Sequence, residues 1–147
     1  MVHYTLAQTY AYKGMYPEAL EEVRHGNCRF DCGWILAVSG RRSGAEQLIK
    51  QMTDYLDGRS NLGWIGGWVA SDAPPSTARP QRRYLDPCWI AYTYAGLGEK
   101  EKALQWLERG YQQRSRLMIY LKIMKEVDTL RSEPKFQDLM RRVNFLQ

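Results

Sequence analysis

The stretch Ile90-Ala91-Tyr92-Thr93-Tyr94-Ala95-Gly96-Leu97-Gly98-Glu99-Lys100-Glu101-Lys102-Ala103-Leu104-Gln105-Trp106-Leu107 decides the fold. Five of its residues, Ala91, Tyr94, Gly98, Ala103 and Leu107, define a spacing that the chain uses twice more. Ala7, Tyr10, Gly14, Ala19 and Val23 repeat it, and so do Gly33, Leu36, Gly40, Ala45 and Ile49. Each copy has a physical logic. A small residue lets a second helix come close, and a large one a turn later fills the space beside it. A glycine then sits where a helix must stop, because the left-handed conformation costs glycine little. The alanine belongs to the next helix, where the two cross, and the aliphatic residue one turn on faces the same core. The pattern predicts three helix–turn–helix units, turning near 14–16, 40–42 and 98–100. Pro17 suits the first turn of its helix, where a missing N–H is no loss.

The units are unevenly spaced. Ala19 and Ala45 are 26 residues apart, and Ala45 and Ala103 are 58 apart, against about 34 in a standard two-helix repeat. The first unit must therefore end early, near Gly26-Asn27, and an insertion must follow the second. The reading is units at about 1–27, 28–56 and 84–115, an insertion at 57–83, and a C-terminal cap at 116–147. The insertion is rich in glycine and proline, which marks it as loop, yet it holds Trp64, Ile65, Trp68 and Val69. The expectation is that the part around Trp64 and Trp68 docks while Pro74 to Pro80 does not. In the cap, a last helix should start at Ser132 as N-cap with Pro134 in its first turn. Phe136, Leu139, Met140 and Val143 would close the end of the array.

These residues resemble the tetratricopeptide repeat. Leu6-Ala7-x-x-Tyr10 and Ile90-Ala91-x-x-Tyr94 match the first half of that signature, and Cys32-Gly33-x-x-Leu36 is a weaker copy. Tyr84 to Ser115, Tyr120-Leu121-Lys122 and Leu130 to Gln137 are similar to the terminal repeat and cap of bacterial multidomain regulators. The resemblance covers most of the chain except roughly 57–83. It departs in the cap, where Lys125 and Thr129 replace expected prolines, so the helix beginning near Leu117 is expected to run on. The implied fold is an all-α α-solenoid of about three units with a C-terminal capping helix.

Composition sets the outer bounds. The chain has 147 residues, 44% of them hydrophobic, and a net charge of +5. That is one domain's worth of chain with an ordinary core. No run approaches the roughly 20 apolar residues that span a bilayer, and no secretory signal is visible, so the expectation is a cytoplasmic protein with no membrane contact. Three cysteines, Cys28, Cys32 and Cys88, are an odd and sparse set, which argues for reduced thiols. Arg79, Arg82 and Arg83 form the densest basic cluster.

Catalytic chemistry finds no constellation. His25, Cys28 and Cys32 are the most metal-like group, but a structural zinc site wants four ligands and no fourth is evident. The histidines are His3 and His25 alone, and His3 sits one turn before Ala7, where a packing residue is expected. The glycines at 63, 66 and 67 lack the lysine and hydroxyl residue of a phosphate loop. No catalytic residue, metal or cofactor is therefore assigned, and the chain is read as a non-enzyme.

The resemblance implies a concave groove lined by the first helix of each unit. It would be lined by Tyr4, Thr5, Gln8 and Tyr12, then Phe30, Asp31, Trp34 and Val38, then Cys88, Trp89 and Tyr92. The partner-binding set is Tyr4, Gln8, Tyr12, Phe30, Trp34, Trp89 and Tyr92, because aromatic residues are common interface anchors. The expected function is to bind a protein or peptide there. Self-association into a homo-oligomer is the first alternative. Weak nucleic-acid binding through scattered arginines is the second, and salt would discriminate it. The lysines and asparagines with which chaperone-binding relatives clamp a carboxylate are lacking.

Overall fold

A computed structural model describes residues 2–25, 30–59 and 84–143. Those residues are helical with no strand. The α-helices are α1 (Val2–Tyr12), α2 (Tyr16–His25), α3 (Gly33–Val38), α4 (Arg42–Leu56), α5 (Cys88–Gly96), α6 (Lys100–Gln112) and α7 (Pro134–Arg142). Short 3-10 segments at Phe30–Cys32, Arg116–Tyr120 and Lys125–Leu130 complete the order.

The repeated spacing is repeated geometry. Gly14, Gly40 and Gly98 have φ of 76°, 76° and 78°. The residue after each glycine closes two hydrogen-bond ladders at once. The N–H of Met15, Arg41 and Glu99 reaches back to the carbonyl of Tyr10, Leu36 and Tyr94 at 2.9, 2.9 and 3.0 Å. Their carbonyls accept from the N–H of Ala19, Ala45 and Ala103 at 3.0 Å in each case. One residue thus finishes the first helix in a Schellman motif and starts the second. Side-chain caps are absent at α4 and α6, since this backbone arrangement already satisfies the turn.

Packing follows the same pattern. Ala7, Ala19, Ala45, Ala91 and Ala103 are all fully buried. α1 packs on α2, α3 on α4, and α5 on α6, while α3 lies against both α1 and α5. α3 and α5 approach closely. A Cβ added to Gly33 would stand 2.0 Å from Thr93 Oγ1, and one added to Gly96 would meet Ala37 and Trp34. Two core clusters result, and Trp34, Trp89, Tyr94 and Trp106 pack against both.

The cap departs from expectation. No long helix runs on from Leu117; two 3-10 segments lie there instead. Met118, Leu121, Val127 and Leu130 are buried and fall at multiples of three residues, the period of a 3-10 helix and not of an α-helix. Ser115 caps the first segment by accepting from the Leu117 N–H at 3.0 Å, and its hydroxyl donates to the buried Asp86 carboxylate. Asp86 also accepts from the Cys88 N–H at 3.0 Å, so this pair ties the start of α5 to the cap. α7 starts one residue later than expected, with Glu133 as N-cap and Pro134 at the first helical position. Ser132 does not cap it. Phe136, Leu139 and Met140 are buried as expected and Val143 is half-buried. Lys100–Glu133, Lys135–Glu101 and Arg142–Glu108 ion pairs link α6 to the last segment. They are mostly exposed and contribute little each.

Two further expectations are corrected. Cys32 is disulfide-bonded rather than reduced, and Cys88 is free and buried. His3 is exposed and not a core residue, its Nδ1 standing 2.8 Å from Glu22 of α2. The first unit's boundary at Gly26-Asn27, the segment around Trp64–Trp68 and the Arg79–Arg82–Arg83 cluster lie outside the described residues.

Candidate partner-binding face

Tyr4, Gln8 and Tyr12 recur every fourth residue of α1 and form one half-buried stripe along it. Trp34 of α3 meets the end of that stripe. Its ring packs edge-on against Tyr12 at 5.3 Å and 67°. The small residues that let α3 and α5 approach also set Trp34 in place, since Gly96 leaves room for its indole. Phe30 and Asp31, in the 3-10 turn ahead of α3, are half-buried, as are Val38 and Trp89. Thr5 is exposed.

Two expected members do not belong to an accessible face. Tyr92 is 1% exposed and Cys88 is 0% exposed. Tyr92 instead supports the face from beneath, its ring edge-on to Trp89 at 5.7 Å and 89°. Cys88 Sγ lies 3.4 Å from the Ser115 hydroxyl. Burial pushes its thiol up, as does the Asp86 charge, so it stays protonated and is a poor nucleophile.

The member absent from the sequence reading is Glu126. It comes from the 3-10 segment Lys125–Leu130, which packs on α5 and α6, and it crosses to α1. Its Oε1 accepts from the Tyr12 hydroxyl at 2.7 Å and from Gln8 Nε2. The residue is 3% exposed. Its Oε2 is buried and has no hydrogen-bond partner among the described residues, and the same holds for the Tyr92 hydroxyl. Burial raises the phenols of Tyr4, Tyr12 and Tyr92, and the Glu126 charge raises all three further. All three therefore stay neutral, and the Tyr12 hydroxyl donates to Glu126. Lys125 Nζ lies 5.1 Å above the Tyr12 ring. No local motif marks Glu126; only the contact across more than a hundred residues does.

The arrangement is an aromatic surface with one buried carboxylate at its edge. Among the described residues no group of three His, Cys, Asp or Glu side chains is placed to hold a metal ion. Cys28 of the His25–Cys28–Cys32 group lies outside them. No described helix is long and apolar enough to cross a membrane. No protein-family model, curated protein or solved structure matches the chain.

Proposed function

We propose that the chain is an α-solenoid of tetratricopeptide type, and that it binds a protein or peptide along a concave face formed by α1, α3 and α5. The observation that carries this reading is the half-exposed row Tyr4, Tyr12, Trp34 and Trp89. Rigid aromatic rings on packed helices lose little entropy on binding, which is why they dominate interface energetics. The three identical turns support the repeat assignment. Panning a random peptide library against the immobilised protein tests the reading. Selected peptides should lose affinity by more than ~1 kcal/mol on Trp34→Ala or Trp89→Ala. Peptides indifferent to both substitutions would move the binding face elsewhere.

Self-association is a second reading, favoured by one separate observation. Ile119, Tyr120 and Ile123 are exposed together in the cap, Ile123 at 75%. Sedimentation of wild type and Ile123→Lys distinguishes it: a dimer lost on that substitution would place the contact there. The nucleic-acid reading draws less support. Arg24, Arg42, Arg59, Arg131, Arg141 and Arg142 each face a carboxylate of their own chain, which offsets the charge that phosphates would need.

A further inference from the structure

A carboxylate taken out of water keeps its charge cheaply only beside a cation or several donors. Glu126 has two neutral donors, both on Oε1. Among the described residues its Oε2 has none and the carboxylate forms no ion pair. Close by, Tyr12 and Trp34 present ring surface that is only half-buried. The Tyr12 face already attracts a cation, since Lys125 Nζ stands above it. Ring faces and a carboxylate lacking its counter-charge are together the features that hold ammonium and guanidinium groups.

We propose that Glu126 and the rings of Tyr12 and Trp34 form a cation subsite, which takes the lysine or arginine side chain of a bound peptide. This rests on the partner-binding reading above and adds the chemistry of the partner. The cation lies over the Tyr12 and Trp34 rings and is held by the nearby charge of the Glu126 carboxylate, to whose Oε1 the Tyr12 hydroxyl donates. The chain's net charge of +5 does not oppose this, because exposed charges beyond about 10 Å are screened at 0.1 M salt. Lys125 is exposed and competes with the incoming cation for the Tyr12 face.

The test uses four acetylated and amidated pentapeptides, Gly-Leu-Xaa-Leu-Gly with Lys, Arg, Gln or Glu at the centre. Binding is read from the indole resonances of Trp34 and Trp89 in nitrogen-15 spectra. The lysine and arginine peptides should bind at least tenfold more tightly than the glutamine peptide. Glu126→Gln should cut that preference to less than threefold and leave the glutamine peptide unaffected. Lys125→Ala preserves the Glu126 hydrogen bonds, so it serves if Glu126→Gln does not fold, and it should tighten the lysine peptide at least threefold. Equal affinity for all four peptides, or a preference that survives Glu126→Gln, overturns the cation subsite and leaves the binding face standing. An unchanged lysine affinity in Lys125→Ala also overturns it. If no peptide moves either indole at millimolar concentration, the binding face itself fails. Indole shifts that follow protein concentration alone would give the face to a second copy and overturn both readings.

Discussion

The α5–α6 hairpin and the cap that follows it are adjacent in the chain and share one core cluster, yet they are built on different rules. The hairpin is two α-helices joined by a glycine turn whose hydrogen bonds recur in the other two units. The cap is two 3-10 segments and one short α-helix, with Met118, Leu121, Val127 and Leu130 buried at multiples of three residues in the 3-10 part. The hairpin is held by local backbone geometry and could be specified almost residue by residue. The cap is held by side chains that reach back: Ser115 to Asp86, Glu126 to Tyr12 and Gln8, and Leu121 into the cluster. Local hydrogen bonds make an element self-defining, whereas 3-10 geometry is poorer and needs its tertiary partners.

The sharpest way to break this contrast is a cavity on each side of it. Leu107 of α6 and Leu121 of the cap are both fully buried. Leu107→Ala and Leu121→Ala should each cost about 2–5 kcal/mol if hairpin and cap unfold together. Denaturant melts should then stay single and parallel. A Leu121→Ala protein that keeps its wild-type melt but exchanges cap amides quickly would make the cap a separately opening unit.

Close approach gives the next effect. Gly33→Ala puts a methyl group into Thr93 Oγ1, and the overpacking should cost about 1–3 kcal/mol. Gly44→Ala is the control, since the nearest atom to its added Cβ is Leu36 Cδ1 at an ordinary 3.9 Å. Equal melting temperatures for the two would mean that α3 and α5 are further apart than described.

The smallest effects test the turns themselves. Nothing lies within 4 Å of a Cβ added to Gly98, so Gly98→Ala should cost only backbone strain, about 1–2 kcal/mol. Arg114 ends α6 in the same left-handed conformation, with φ of 55°, and its neighbour Ser115 donates back to the Gly110 carbonyl at 2.9 Å. There a non-glycine residue carries the strain, so Arg114→Gly should stabilise by up to about 1 kcal/mol. Thermal melts of opposite sign for the two variants are the expected outcome. A loss of stability in Arg114→Gly would mean that its side chain contributes more than its backbone costs.

These contrasts also explain what was legible beforehand. The three glycines and the fully buried alanines are short-range signals, and each sat where the spacing put it. The apolar residues from Met118 to Leu130 carried a signal too, but at a period of three, and reading them as α-helix misplaced them. Glu126 carried none, because its role depends on which distant helix it meets. Tyr92 and Cys88 were assigned to the groove because the resemblance lines it with the first helix of each unit. The packing of α5 against α6 and the cap decides their burial instead, and no single-helix pattern encodes those contacts.

The residue that follows each turn glycine serves both helices, and this limits how such a chain can change in length. Adding one residue to the turn would separate the N–H that ends the first helix from the carbonyl that begins the second, so neither ladder would close. A hairpin must therefore be gained or lost whole. Room for growth lies at the joints between hairpins, and the longest stretch between two of these helices, from the end of α4 at Leu56 to the start of α5 at Cys88, falls at such a joint. The turn thus acts as a fixed-length rivet and the joint as the place where new material can be spliced in.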